Sequence, residues 1–428
     1  MKGTDANEGR PGYKESKMGW IPEEWQVYRL GDLISQPRSG YSANSSDRVR
    51  VDEEPGVLKL SCISDGVFRS EYNKAVVDPS EANKLCTPVE EGCLVISRAN
   101  TAALVGAVAY VLRAERNLFL SDLMWKLSPA DNASVSMRWL GYLLISSHVH
   151  ARIVSRASGT SGSMSKITKP SLLGVWIVVP DSLEQKKIAE ILSTCDEVIE
   201  KTAALVEAKK RQKRALMQQL LTGRKRLPGF EGEWVETKIG TLMREANRPV
   251  EWDDDELYRL VSVRRRSGGL FFREALYGRD IKTKVMNTTK ANDFLISKMQ
   301  VVHGAMAMTT AKFDEGHVSG SYMTLVAREK APIFMPFFDH LSRTKWLYHL
   351  TFVSSYGVVI EKMTFNLRDF LKKDVRIPAT IGEQKAITEL LETAGKEIDA
   401  LEKKQAALKQ QKKSLMQKLL TGQIRVKV

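Results

Sequence analysis

Cysteine is scarce in this chain of 428 residues, and long apolar runs are absent from it. The cysteines are Cys62, Cys86, Cys93 and Cys195, and their spacing fits neither a CxxC metal pair nor a disulfide framework. No stretch approaches the roughly 20 unbroken apolar residues of a membrane-spanning helix. Residues 1–16 are polar and lack the apolar core of a signal peptide. We therefore expect a cytoplasmic protein with reduced thiols and no membrane association.

Motifs of common nucleotide- and metal-dependent enzymes are also missing. The chain has no GxxxxGK[S/T] phosphate loop, and it has neither the Asn-Pro-Pro-aromatic motif nor the glycine-rich cofactor loop of a methyltransferase. Its 6 histidines include one close pair, His148 and His150, without a Cys or an acidic residue nearby in sequence. We expect no metal site, no catalytic residue and no cofactor bound by this chain.

Acidic residues are the minority charge. There are 65 Lys and Arg against 51 Asp and Glu, which gives a formal net charge of +14. A basic excess favours a polyanionic partner, because bound phosphates are neutralised and their counterions released. The composition alone leaves a basic protein without a nucleic-acid partner equally open.

The most informative feature that is present is an internal duplication. Residues 184–226 align without gaps to residues 383–425 at an offset of 199, and 20 of the 43 aligned positions are identical. Both copies begin with Glu-Gln-Lys and end with Leu-Met-Gln, one variable residue and Leu-Leu-Thr-Gly. Such similarity between two segments of one chain indicates two copies of one structural unit.

Both copies are predicted to be long helices. Capping-box spacing occurs at Ser182 with Gln185 and at Thr380 with Glu383, and Gly223 and Gly422 can close the helices. Apolar residues recur at heptad-like spacing, softened by polar residues at four seam positions: Lys209, Lys213, Gln405 and Lys412. About 40 helical residues span roughly 60 Å, and a helix of that length with one apolar stripe needs a partner. We expect the second copy to be that partner.

The segments before the two helices resemble each other faintly. Glu24-Trp25 corresponds to Glu233-Trp234, and the apolar run 94–98 corresponds to 294–298. The predicted fold is α+β, with two globular α/β domains separated by two long helices that pack as an antiparallel coiled coil with pseudo-two-fold symmetry. The predicted boundaries are an N-terminal tail at 1–19, domains at 20–180 and 227–378, and helical segments at 181–226 and 379–428. Two such domains at the ends of a rod suit two inverted DNA half-sites.

Several motifs resemble those of Type I restriction-modification specificity subunits. They are the run 19–25 (GWIPEEW) with 29–33 (RLGDL), the two Glu-Gln-to-Leu-Leu-Thr-Gly segments, and the run 159–162 (GTSG) leading to Lys166 and Ile167. The resemblance extends over about residues 20 to 428. The second block departs from it, because Tyr356–Ile360 stands where the first has its Gly-Thr-Ser-Gly run.

The resemblance implies a DNA-binding protein that is not itself a catalyst. Each variable block would be a target recognition domain that reads half of a split target in double-stranded DNA. The helices would fix the spacing and dock two DNA adenine methyltransferase subunits, which would carry S-adenosylmethionine. Restriction subunits using ATP and Mg would join them for translocation and cleavage. Two alternatives are a coiled-coil adaptor without a DNA role, and an enzyme with recognition fused to it.

One short run imitates a nuclease site. Pro180-Asp181 followed by Glu184-Gln185-Lys186 has the letters of a metal-binding PD…ExK site. Only two residues separate the Asp from the Glu, and the second copy keeps Glu383-Gln384-Lys385 without the Asp. Helix capping explains both copies, so we interpret this run as structural.

Candidate DNA contacts are side chains that can read bases or clamp phosphates. Any one of them is also typical of a solvated surface, so the prediction concerns groups. The run 209–214 fits DNA contact and a solvated coiled-coil face equally well. In the first block the candidates are Arg38, Ser39, Tyr41, Arg98, Asn100, Ser161, Ser163 and Lys166. In the second block they are Arg264, Arg265, Arg266, Lys298, His303 and Lys312.

Overall fold

The computed structural model of the chain describes residues 7–158 and 164–427. The chain divides into two compact units. The first unit comprises residues 1–201 and 404–428, and the second comprises residues 202–403. Each unit therefore contains one globular block and part of each long helix. Among the described residues, no helix is long and apolar enough to cross a membrane.

The first unit is a mixed α/β structure built around an antiparallel four-stranded sheet. That sheet has the order Arg38–Ser39, Met124–Leu127, Leu94–Ser97, Val108–Tyr110. A second sheet has the order Leu118–Phe119, Gly56–Leu58, Asn73–Ala75, and three strand pairs are Tyr13–Ser16 with Gly19–Pro22, Ala99–Asn100 with Ser165–Lys166, and Gln26–Arg29 with Trp176–Val179. The helices are Leu30–Asp32, Leu60–Ile63, Pro79–Ala82, Met137–Ile145, Ser147–Val154 and Lys169–Leu173.

The second unit repeats this plan with a larger second sheet. The antiparallel sheet has the order Met243–Glu245, Tyr322–Ala327, Phe294–Ser297, Met306–Met308. The other four-stranded sheet has the order Leu270–Tyr277, Leu257–Val263, Gly316–Ser319, Met286–Thr289, and two strand pairs are Val235–Lys238 with Asp374–Ile377 and Ser355–Tyr356 with Thr364–Phe365. The helices are Ile239–Leu242, Gly278–Asp280, Val301–His303, Ala311–Phe313, Met335–Ser342, Lys345–Val353, Ile360–Lys362 and Leu367–Leu371.

The apolar runs that the sequence pairs between the blocks occupy equivalent places. Leu94–Ser97 and Phe294–Ser297 are buried at every residue and lie inside their sheets, as continuous apolar strands do. Each one packs into its unit's main core together with the tryptophan of the matching Glu-Trp pair, Trp25 or Trp234. The faint similarity between the blocks therefore reflects one shared core plan.

The two long helices are Ser182–Leu220 and Ile381–Leu420, as the duplication predicts. Gly223 and Gly422 follow them with left-handed φ angles of 69° and 71°. The Thr380 half of the capping box predicted for the second helix is confirmed, since Thr380 Oγ1 accepts the Glu383 N–H at 3.3 Å, while the Glu383 carboxylate bonds Arg226 and Trp234. The predicted role of Ser182 in capping the first helix is wrong. Asp181 caps it instead, because the backbone path places its carboxylate where it accepts the N–H groups of Leu183 and Glu184.

Within each unit the two helices run antiparallel, which confirms the predicted fold class. In the first unit Glu184 bonds Arg425 while Asp196 bonds Lys412. In the second, Arg226 bonds Glu383 while Lys209 bonds Glu397. Numbering therefore rises on one helix as it falls along the other. The buried seam residues include Ile188, Leu192, Val206, Ile387, Leu391 and Ile398.

The duplicated Glu-Gln pair is buried and has the same partners in both units. Glu184 accepts hydrogen bonds from Trp25 Nε1 at 2.8 Å and from the Arg425 guanidinium, and Glu383 accepts them from Trp234 and Arg226. Gln185 and Gln384 each accept the backbone N–H that starts a helix of the globular block, at Ser136 and at Phe334. These carboxylates are therefore engaged in structural pairs, which supports a structural role over a nuclease site, although the pairs are not the capping bonds that the sequence predicted.

Residues from Asn7 onward extend the first unit, inside the segment predicted as a tail. Asn7 Nδ2 donates to the Thr421 carbonyl at 3.2 Å, and Tyr13 Oη donates to the Gly422 carbonyl at 2.5 Å. These bonds satisfy carbonyls just past the last turn of the second long helix, which the helix itself leaves without partners. The N-terminal segment thus holds the C-terminal end of the chain against the first globular block.

Candidate nucleic-acid interface

In the first unit, two groups of predicted contact residues meet around Trp125. Ser39 lies on an edge strand paired with Trp125, and its Oγ accepts the indole N–H at 2.9 Å. The Arg98 guanidinium lies 6.0 Å from the same ring. Arg38 precedes Ser39 and is exposed. The ring therefore joins two segments that are far apart in sequence, and the Ser39 hydroxyl is occupied by it.

Arg98 stands where the buried strand Leu94–Ser97 ends and the chain turns into the strand Ala99–Asn100. Its N–H bonds the Leu123 carbonyl at 2.9 Å, and its carbonyl accepts the Ile167 N–H at 2.8 Å. Pairing of Ala99–Asn100 with Ser165–Lys166 then brings Lys166 beside this turn. The sequence-predicted Arg98, Asn100 and Lys166 thus form one local group, of which Lys166 is exposed.

Not every predicted side chain of this unit is free to contact a partner. The Asn100 amide bonds locally, to Ser97 Oγ and the Thr101 N–H. Tyr41 follows the edge strand, its N–H bonds the Leu120 carbonyl at 3.1 Å, and the Lys84 ammonium lies 5.9 Å from its ring centre. The predicted residues Ser161 and Ser163 lie outside the described residues.

In the second unit, the predicted arginines form the tip of a hairpin. The strands Leu257–Val263 and Leu270–Tyr277 pair antiparallel, and Arg264, Arg265 and Arg266 begin the connection between them. All three arginines are exposed. The Arg266 N–H bonds the His303 carbonyl at 2.7 Å, so the structure brings His303 to the arginines. A two-stranded ribbon with a basic tip has the size and charge that a DNA major groove accepts.

Lys298 and Lys312 are placed differently. Lys298 matches Arg98, since its carbonyl accepts the Phe365 N–H as that of Arg98 accepts the Ile167 N–H. Its ammonium is partly buried and bonds the Gly320 carbonyl at 2.6 Å, which restricts its reach. Lys312 is exposed, and its neighbour Phe313 packs 4.8 Å from Phe272, near the tip end of the hairpin.

The run 159–162 of the first block and the run Tyr356–Ile360 of the second block differ in sequence, but the segments that flank them are paired in the same way. Ser158 and Lys166 exchange backbone hydrogen bonds at 2.8 and 2.9 Å before and after the first run. The strand Ser355–Tyr356 pairs with Thr364–Phe365 around the second. In the second unit this turn exposes Val358 completely. The departure noted in the sequence therefore falls between segments that are paired in the same way in both blocks.

Sequence reasoning missed the residues that position the candidate contacts. Trp125 joins Ser39 to Arg98, and Ser267 bonds Tyr348 beside the arginine tip. Arg259, whose guanidinium stacks 4.6 Å from the Phe272 ring, adds an exposed cation to the same hairpin. Strand alternation from Leu257 could have indicated Arg259, but no local pattern indicates contacts across such sequence distances. The described residues contain no group of His, Cys, Asp or Glu that could hold a metal ion.

Comparison with known families agrees with the duplicated architecture. Residues 22–208 match the family model described as the Type I restriction modification DNA specificity domain. The specificity subunit of the type I restriction enzyme MjaVIII from Methanocaldococcus jannaschii is 23% identical, over 97% of this chain and 96% of its own length. A chain from the same organism, assigned as the specificity subunit of the enzyme MjaX, is 25% identical over 97% of both chains.

Solved structures give the same result for the fold. The Type I restriction-modification S subunit from M. genitalium aligns with a TM-score of 0.56 over 92% of this chain and 96% of its own, at 15% identity. The HsdS subunit from Thermoanaerobacter tengcongensis aligns with a TM-score of 0.52 over 94% of this chain and 98% of its own, at 16% identity. At these identities the likeness establishes the fold.

Proposed function

We propose that this chain is a member of the family of Type I restriction-modification DNA specificity subunits and that it reads a two-part DNA target with one globular block for each half. The observation that carries the proposal is the doubled plan. Each unit has a buried strand inside its own antiparallel four-stranded sheet, and a cation, Arg98 or Lys298, follows that strand at the equivalent turn. Two readers of similar construction on one chain suit a target with two halves.

The proposed reading domains are residues 20–180 and 227–378. The first would use the group around Trp125 and Lys166, and the second would use the arginine hairpin. Exposed Arg and Lys side chains can contact both guanine edges and phosphates, so each group can contribute to affinity and to sequence choice. Residues 181–226 and 379–428 would set the distance between the two halves of the target.

We assign the chemistry to partner subunits. The chain would be non-catalytic and cytoplasmic, and it would dock two DNA adenine methyltransferase subunits on its long helices. Those subunits would bind S-adenosylmethionine, and restriction subunits would use ATP and Mg. Support comes from the relatives' description as subunits of restriction enzymes and from a similar solved structure that concerns complex assembly in a type I system.

A coiled-coil adaptor without a DNA role is the rival function, and salt dependence separates the two. The chain is co-purified with its methyltransferase, and its affinity for double-stranded DNA is measured across salt concentrations. We expect affinity to fall steeply as salt rises, because each neutralised phosphate releases counterions. Lys166→Ala should lower the slope of log affinity against log salt by about 1.

The control is Arg113→Ala, which removes one exposed charge that is not among the proposed contact residues. It should leave the slope unchanged. DNA binding that is absent, or that does not respond to salt, would instead favour the adaptor.

A further inference from the structure

The tip of the arginine hairpin has an unusual backbone. The Arg265 carbonyl accepts the Gly268 N–H at 3.1 Å, which closes a four-residue turn. Its central residues, Arg266 and Ser267, have φ angles of +56° and +53°. Positive φ at both central positions is the type I′ pattern, which Asn-Gly adopts most easily and side chains such as Arg resist. An unfavourable turn of this kind persists only where its surroundings hold it.

Contacts from distant segments hold this turn. The Arg266 N–H bonds the His303 carbonyl at 2.7 Å, and the Ser267 N–H bonds the Gly304 carbonyl at 3.0 Å. Ser267 Oγ and Tyr348 Oη share a hydrogen bond of 2.7 Å. Tyr348 also presses on Gly304, where an added Cβ would lie 1.9 Å from the tyrosine oxygen. Only glycine fits there, so the turn, the glycine and the tyrosine form one interlocked contact.

The three arginines of the tip divide into two kinds. The Arg264 guanidinium lies 4.4 Å from the Phe271 ring and bonds the Leu270 carbonyl at 3.4 Å, so it is engaged by its own hairpin. Arg265 and Arg266 are exposed, and within residues 7–158 and 164–427 no side chain forms an ion pair or hydrogen bond with their guanidinium groups. The tip thus presents two unengaged forked donors on a fixed backbone.

We propose that Arg265 and Arg266 determine the bases of one half-target, and that Ser267 and Tyr348 are positioning residues that hold them ready. The inference rests on the proposed function and deepens it. Arginine reads guanine through two parallel hydrogen bonds, and such a pair tolerates only small errors in position. A strained turn fixed through Ser267 and Tyr348 supplies that accuracy where a relaxed loop would not.

The first test replaces each reading side chain in the complete complex. Arg265→Ala and Arg266→Ala are co-expressed with the methyltransferase in a methylation-free host, and N6-methyladenine is mapped by sequencing. We expect one half of the target to accept other bases at one or two positions, with discrimination reduced about tenfold. The other half and the gap stay unchanged. The control Arg116→Ala, an exposed arginine of the first unit, should leave both halves as they are.

The second test addresses the positioning residues. Tyr348→Phe and Ser267→Ala each remove the hydrogen bond between these two side chains and change the size of the side chain little. Both variants should reduce discrimination at the same target positions as the arginine variants, but by a smaller factor. Ser267→Gly also removes the hydroxyl but suits positive φ, so it should retain more discrimination than Ser267→Ala.

Three outcomes would overturn the inference. They are an unchanged target in the arginine variants, a uniform loss of methylation with both halves still read correctly, and relaxation of both halves of the target in the arginine variants. Uniform loss would identify phosphate contacts in place of base reading. If the parent complex itself produced no split target, the proposed function would fail, and that failure is visible before any variant is made.

Discussion

Each duplicated segment begins with a glutamate and ends with an arginine, and the glutamate of each copy bonds the arginine of the other. Glu184 opens the first copy and bonds Arg425, which closes the second, while Arg226 and Glu383 complete the reverse pair. Glu184 has no exposed surface, and its carboxylate accepts hydrogen bonds from the Arg425 guanidinium and from the Trp25 N–H, as a buried polar group requires. Glu184 in turn raises the pKa of Arg425, because its carboxylate bonds the charged guanidinium. The pairs fasten each helix end to its own unit.

Removing one partner should therefore cost more than removing both. We expect Arg425→Met to lower the free energy of unfolding by about 2 to 4 kcal/mol, because Glu184 stays buried without its cation. The double variant Glu184→Gln with Arg425→Met should recover at least half of that loss. Denaturant unfolding followed by near-UV circular dichroism measures both. Arg113→Met is the control, and an Arg425→Met loss no larger than the control's would contradict this account.

At the scale of elements, one ion pair between the two long helices is present in the first unit and has no counterpart at the equivalent positions of the second. Lys412 bonds Asp196, whose carboxylate also accepts a hydrogen bond from the Tyr142 hydroxyl at 2.7 Å. In the second unit the residues at the same offset are Lys213 and Gly395. The helix there lacks the carboxylate, and an added Cβ on Gly395 would lie 2.8 Å from the Lys213 ammonium. Burial, with the nearby Arg343 charge, lowers the pKa of Lys213.

Supplying the missing carboxylate should stabilise the second unit. We expect the free energy of unfolding of Gly395→Asp to be about 0.5 to 1 kcal/mol higher than that of Gly395→Asn, which is neutral and of equal size. The flexible side chain of Lys213 can move to form an ion pair with the new carboxylate. Thermal unfolding at low and high salt measures the difference, which should shrink as salt screens the pair. Equal stability of the two variants at low salt would show that Lys213 gains nothing from an acid at this position.

The helices were predictable from sequence because their signals are local and repeated. The doubled motif, the apolar spacing and the closing glycines Gly223 and Gly422 indicate two long partnered helices. The first cap was not predicted correctly, because Asp181 and Ser182 are adjacent and only the backbone path selects the carboxylate. For candidate contacts, composition indicated the basic tip at Arg264–Arg266. It could not indicate that Tyr348 fixes that tip, since no pattern in one sequence reports a contact between such distant residues.

For the whole molecule, the central claim is that one chain reads both halves of a split DNA target and fixes the gap between them. The doubled plan and the crosswise helix pairs within each unit support it. We expect a split target to have a constant gap, because the proposed spacer helices, such as Ser182–Leu220, have a fixed length. Changes in either globular block should then alter bases in one half only.

The measurement that tests this claim most directly is a methylation map. The chain is co-expressed with its methyltransferase in a methylation-free host, and N6-methyladenine is located across the genome by sequencing. We expect one split motif with a constant gap, which disappears when this chain is omitted. Methylation that persists without the chain, or a stable complex that produces no split motif, would contradict the account.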